Sequence, residues 1–139
     1  GSQLAPLFDT RLETMSEIVI TVREALPEIL QKQREQILKR FQDASIDLNN
    51  ERLEQEMVLL AQKTDVAEEL DRLVVHIDEV SAVLNKPEPA GRRLDFLMQE
   101  LNREANTLGS KSQDPRLTKA SVDLKVFIEQ MREQVQNIE

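Results

Sequence analysis

Residues that break helices are scarce in this chain, and that scarcity limits its folds more than any other feature. Its 139 residues include only three Gly and five Pro. Between these breakers, apolar residues return at spacings of three and four, the period of one helical face. From Leu4 to about Ala44 the run takes in Leu7, Phe8, Leu12, Met15, Ile18, Val19, Val22, Leu26, Ile29, Leu30, Ile37, Leu38 and Phe41. With four Phe and no Trp, Tyr or Cys, the core must be made of Leu, Ile, Val, Met and Ala. The chain reads as all-α.

Its punctuation divides it further. Pro27 lacks a backbone donor and predicts a kink or a new helix at that point. The segment Gln31 to Gln36 has no apolar residue and reads as solvated. Residues 3–48 are therefore expected to form a long helical arm or hairpin, and 49–139 a C-terminal helical bundle. Gly1-Ser2 reads as a cloning scar. A first turn spans 44–50, with Asn49 or Asn50 as the N-cap of a helix starting at Glu51. Leu53, Met57 and Leu60 share one face of that helix. Near Thr64 the stripe changes phase by about a third of a turn, to Val66, Leu70, Leu73, Ile77, Val80 and Leu84. Supercoil drift is too small to cause this. Either the helix breaks there, with Asp65 and Glu68 as a capping box, or it changes partners.

Asn85-Lys86-Pro87-Glu88-Pro89-Ala90-Gly91 is the clearest loop. A third helix follows from about Arg92 to Leu108, with Leu94, Met98, Leu101, Ala105 and Leu108 inward and Gly109 as its stop. Pro115 opens the last helix. There Leu117, Leu124, Ile128, Met131, Val135 and Ile138 form a heptad seam broken by Ser121.

Several classes of function fall away at this level. Without Cys there is no disulfide framework and no thiol nucleophile. There is no glycine-rich phosphate loop and no nucleophile elbow. No stretch approaches the roughly 18 apolar residues of a membrane span, so no membrane partner is expected. No signal peptide is visible, and the cytoplasm is the expected compartment. The net charge of −8 disfavours nucleic acid on bulk charge alone. A local basic patch, or cations held by carboxylates, would reverse the sign near a site.

Two segments carry candidate chemistry. In the third helix, Arg93, Glu100, Glu104, Thr107 and Lys111 lie on one polar stripe. Arg92, Asp95, Gln99, Arg103, Asn106 and Ser110 lie on the other. Glu100 and Glu104 are one turn apart, so their carboxylates can converge on a cation. The plain alternative is a solvated helix with Glu and Arg pairs, but its Gln, Asn and Thr content suits such a helix poorly. In the helix before it, Asp65, Glu69, Arg72 and His76 share a stripe beside the apolar face. His76 is the only histidine. A lone histidine is more often structural than a ligand, though imidazole is versatile near neutral pH.

Longer segments go further. Asp65-Val66-Ala67-Glu68-Glu69-Leu70-Asp71-Arg72-Leu73 followed by His76 resembles a signature of the bacterial YicC/YloC family of stress-linked endoribonucleases. So does Gly91-Arg92-Arg93-Leu94-Asp95-Phe96-Leu97-Met98-Gln99-Glu100, continuing from Asn102 through Ser112. The ending from Ile128 to Glu139 is similar to that family's terminus. The resemblance covers roughly 51–139 strongly, and the arm in character. It implies an endoribonuclease dependent on a divalent metal cation, Mn or Mg, acting on single-stranded RNA in RNA turnover. It also implies a homo-oligomer, a hexamer, and a further N-terminal domain of similar size.

The mechanism expected on these positions puts Glu69, His76, Glu100 and Glu104 around the cation, with Glu100, Glu104 and His76 catalytic. Arg72, Arg93, Arg103 and Lys111 would bind backbone phosphates, and Gln99 and Asn106 would orient the metal ligands. Two other readings stand beside it. One is a non-catalytic module for oligomerisation and RNA positioning. The other is a plain coiled-coil adaptor, which leaves the amide-rich helix unexplained.

Overall fold

Phe8, Leu12, Met15, Val19, Val22, Leu26 and Ile29 alternate spacings of four and three, the repeat that keeps one seam facing a partner helix. In a computed structural model, which describes residues 5–44, 48–87 and 89–138, these side chains are all buried. Gly1-Ser2, the middle of the first expected turn (45–47), Glu88 and Glu139 lie outside the described residues. So do the side chains of Leu7, Asn49 and Ile138.

The chain forms α1 (Ala5–Ala44), α2 (Leu48–Leu84), α3 (Gly91–Ser110) and α4 (Pro115–Ile138), with no strand among the described residues. Each helix packs against the next, and α4 closes the ring on α1. Polar contacts fix the directions as antiparallel. Arg23 of α1 meets Asp71 of α2, Arg93 of α3 meets Glu79 of α2, and Arg11 of α1 meets Gln130 of α4. The result is an up-down-up-down four-helix bundle. Inside it, Val66, Leu70, Leu73, Ile77, Val80 and Leu84 of α2 meet Leu94, Leu97, Met98, Leu101, Ala105 and Leu108 of α3. From α4 come Leu117, Ala120, Leu124, Ile128, Met131 and Val135.

α1 and α2 have 40 and 37 residues, against 20 and 24 for α3 and α4. At about 1.5 Å per residue the first pair must outrun the second. The overhang is a hairpin made of the end of α1 and the start of α2, joined across by an Arg34–Glu56 ion pair of 2.5 Å. Leu53, Met57, Val58 and Leu60 are exposed on it. This changes the expected division of the chain. The segment 3–48 is not an arm throughout, because buried side chains between Phe8 and Ile29 form one side of the bundle's core. Only the part beyond the polar run at 31–36 leaves the core.

Other boundaries move for physical reasons. α1 runs through Pro27 as one helix, with the proline ring exposed to solvent. α2 is continuous at Thr64, so the change of phase marks a change of partner. Before it the helix packs on α1 alone, and after it on α1 and α3 together. Asp65 is then mid-helix and caps nothing; its carboxylate faces Lys111, the residue just after α3, at 3.5 Å. Asn49 and Asn50 lie within the first turn of α2, which starts at Leu48. Gly109 lies inside α3 and does not stop it. A Cβ there would stand 2.6 Å from Ser121 Oγ and 2.7 Å from Ser121 Cβ. Ser121, the break in the α4 seam, is buried and donates to the Ala105 carbonyl at 2.8 Å. Small residues at Ala105, Gly109, Ala120 and Ser121 let α3 and α4 approach closely.

Candidate active site

The polar stripes flanking the apolar seams of α2 and α3 meet along one edge of the bundle. His76 lies there on α2, and Glu104 faces it from α3. His76 Nδ1 is 2.8 Å from Glu104 Oε1 and 2.7 Å from Oε2. Glu104 has only 2% of its surface exposed, whereas the His76 side chain keeps 20%. One N–H cannot point well at both oxygens, and Oε2 is left buried without a hydrogen-bond partner of its own. The imidazole thus has its Nδ1 edge turned inward on a buried carboxylate. With the carboxylate ionised, that pairing favours the proton on Nδ1, and it turns Nε2 away from Glu104.

Burial pushes the Glu104 carboxyl above its ordinary range. The hydrogen bond and charge of His76 pull it back, and the charges of Glu69 and Glu100 push it up again. These four residues therefore share one electrostatic neighbourhood across the α2/α3 seam. Two of them are held by arginines. Glu69, itself buried, accepts from Arg72 at 2.6 Å, and Glu100 accepts from Arg103 at 2.5 Å. Both arginines keep most of their surface in solvent. Among the described residues no three His, Asp or Glu side chains converge closely enough to hold a metal ion. The carboxylate oxygens of Glu69, Glu100 and Glu104 are donors of the type manganese or magnesium take, although they are not gathered on one point.

The remaining candidates are placed as follows. Lys111 pairs with Asp65 across the same seam, at 3.5 Å. Arg93 bonds to Glu79 at 2.6 Å and lies over the Phe96 ring at 5.4 Å, near the start of α3. Gln99 donates to Asp95 at 3.1 Å, and Asp95 in turn is 3.8 Å from Arg132 of α4. Asn106, two turns on, shares that face and is exposed. Gln99 and Asn106 thus lie on the stripe turned toward α4 and do not bond to His76 or Glu104. Their amides are not in the cluster they were expected to orient. Glu79, which the sequence did not single out, takes part as the partner of Arg93; an acidic residue three after the histidine was its only signal.

A family profile described as "Endoribonuclease YicC-like, C-terminal" matches residues 22–139. The chain belongs to this YicC-like family. A Haemophilus influenzae protein named probable endoribonuclease YicC is 52% identical over 139 residues. That match covers 100% of the chain and 48% of the relative. A Clostridioides difficile protein of the same name is 34% identical over 142 residues, again with 100% of the chain and 48% of the relative. The chain therefore spans about half the length of these YicC relatives. No helix among its described residues is long and apolar enough to cross a membrane.

Proposed function

We propose that this chain carries the catalytic edge of a cytoplasmic endoribonuclease that cleaves single-stranded RNA. The observation behind this reading is the His76–Glu104 pair. A nearly sealed carboxylate holds a half-open imidazole by one nitrogen. An oriented base of that kind is worth about 10²–10⁴-fold in rate. Glu104 keeps the proton on Nδ1 and balances the positive charge that the ring gains. His76 Nε2 takes the proton of the attacking water as its oxygen bonds to phosphorus, and returns that proton to the sugar oxygen released when its P–O bond breaks. Arg72 and Arg103 are exposed enough to leave their glutamates for phosphate oxygens. Lys111 and Arg93 add positive charge at either end of the seam.

A divalent cation, Mn or Mg, belongs to this reading. Glu69, Glu100 and Glu104 are the residues that would hold it once the two arginines turn away, with His76 beside it as the base rather than a ligand. When bound it would lower the pKa of water and neutralise charge building on the phosphate. Self-association also belongs here, as a homo-oligomer that is a hexamer in the full-length protein. The exposed apolar residues of the hairpin, Leu53, Met57 and Leu60, support it.

The test is cleavage of an end-labelled oligoribonucleotide in manganese and in chelator. His76→Ala and a Glu100→Gln/Glu104→Gln double variant should each lose at least about 100-fold in rate, with helix content unchanged. Undiminished metal-stimulated cleavage by the double variant would refute this placement. It would leave the chain with the second reading, a module that positions RNA for a site elsewhere.

A further inference from the structure

At the base of the hairpin the turn between α3 and α4 rests against α1 and leaves a cleft of about 620 Å³. Its lining is unlike the rest of this acidic surface. Lys32 and Arg40 reach it from α1, and Lys111 from the end of α3. Neither Lys32 nor Arg40 has a carboxylate within 4 Å among the described residues, although the Lys32 charge also helps to lower the Asp114 carboxyl. The acidic residue in the lining, Asp114, is already engaged. Arg116 holds it with two bonds of 3.0 Å, and this guanidinium keeps the Asp114 carboxyl below its ordinary range. Three cations thus line the cleft against Asp114, in a chain of net charge −8.

The floor is polar as well. Gln33 donates to Ser112 Oγ at 2.7 Å, and the same oxygen accepts from the Asp114 amide at 3.0 Å. These bonds pin the α3–α4 turn to α1. Gln33 Oε1 stays buried without a partner, so polar satisfaction is incomplete in the free chain. Gln36 and Gln62 line the walls with further amides.

The cations do not converge on a point. Lys32 and Arg40 are eight residues apart on one helical stripe, about 12 Å along the axis. Such spacing suits an extended polyanion better than a single phosphate. The far end of the cleft lies on the side toward the candidate active site. Lys111 pairs with Asp65 across the α2/α3 seam, and Glu104 lies seven residues before Lys111, about 10 Å away.

We propose that this cleft is the track along which the sugar–phosphate backbone of single-stranded RNA approaches the His76–Glu104 pair. Lys32 and Arg40 contact separate phosphates away from the cut. The identity of the polyanion rests on the ribonuclease reading above; the existence of the track rests on the cleft alone.

The experiment measures anisotropy of a labelled oligouridylate 12-mer, in chelator so that it is not cut, from 50 to 200 mM salt. The chain, a Lys32→Gln/Arg40→Gln variant and a Lys119→Gln/Lys125→Gln control on α4 are compared. Each phosphate that a variant no longer neutralises should lower the salt slope by about 0.7, so the cleft variant's slope should fall by about 1.4. A fourfold rise in salt should then weaken its binding about sevenfold less than it weakens the unaltered chain's. The control should keep the original slope. Three results overturn the proposal: an unchanged slope in the cleft variant, an equal drop in the control, or no binding by the unaltered chain. Cleavage by these same proteins and by a Glu104→Gln variant in manganese separates the two ideas. Cleavage that depends on Glu104 but not on Lys32 and Arg40 removes the track and keeps the active site. Cleavage indifferent to Glu104, with the slope changed as expected, does the reverse.

Discussion

Replacing Gly109 with alanine tests the tightest approach between α3 and α4, and the sign of the result decides. A glycine inside a helix is normally worth replacing. Alanine there is better by about 0.8–1.0 kcal/mol, and somewhat less for a residue next to the helix end. Against this stands the added methyl, 2.6 Å from Ser121 Oγ and 2.7 Å from Ser121 Cβ. Carbon atoms in contact prefer about 3.5–4.0 Å, so the overlap is near 1 Å. Rotating the hydroxyl away relieves part of it but gives up the 2.8 Å bond to the Ala105 carbonyl. The Cβ of Ser121 cannot rotate away, because it is fixed to the backbone of α4. Relief therefore requires the helices to part, which loosens buried Leu108, Leu117 and Ala120.

Overpacking of this kind costs about 1–3 kcal/mol. Set against the propensity gain, Gly109→Ala should destabilise the chain by about 1–2 kcal/mol, or about 3–8 °C in thermal midpoint. Adding Ser121→Gly removes both overlapping atoms. It should recover at least about 1 kcal/mol relative to the sum of the single changes, measured as a double-mutant cycle in urea by circular dichroism. A higher midpoint for Gly109→Ala alone would mean that the close approach is absent. The turn that carries Lys111 and Ser112 would then lack this brace.

Two further outcomes concern pH. Glu104 has a folded-state pKa raised by burial, so between its ordinary and raised values the folded chain holds a proton that the unfolded chain releases. Stability should fall as pH rises across that window, and Glu104→Gln should flatten this dependence in urea titrations at successive pH values. An unchanged profile would show that Glu104 is not sealed. Asp114 shifts the opposite way, lowered by Arg116, and it caps α4 by accepting from the Arg116 amide at 2.9 Å. Asp114→Ala should cost about 1 kcal/mol near neutral pH. That difference should shrink in acid, as pH falls through the lowered value, because the carboxylate contributes only while ionised. A loss independent of pH would argue for packing instead.

The helices are legible in the sequence because helix formation depends on local spacing, which a sequence carries in full. The heptad alternation from Phe8 to Ile29 is equally present there, yet the N-terminal third reads as an arm. The polar run at 31–36 marks where α1 leaves the core, not that α1 lies outside it. Thr64 shows a related limit. A change of phase says that the neighbour changes, and only the fold shows that α3 is the new neighbour. The candidate site divides along the same line. His76 and Glu104 are visible as polar residues beside apolar seams, because each stripe belongs to one helix. Which stripe of α3 faces α2 is not visible, so the sequence groups Gln99 and Asn106 with the expected metal ligands although they lie toward α4. The cleft at the hairpin base is invisible for a stronger reason. Lys32, Arg40, Gln62 and Lys111 come from two helices and the turn after α3, and no segment holds enough of them to form a motif. What brings them together is the length of α1 and α2 relative to α3. A longer third helix would carry the α3–α4 turn past Gln33 and leave no recess beneath it.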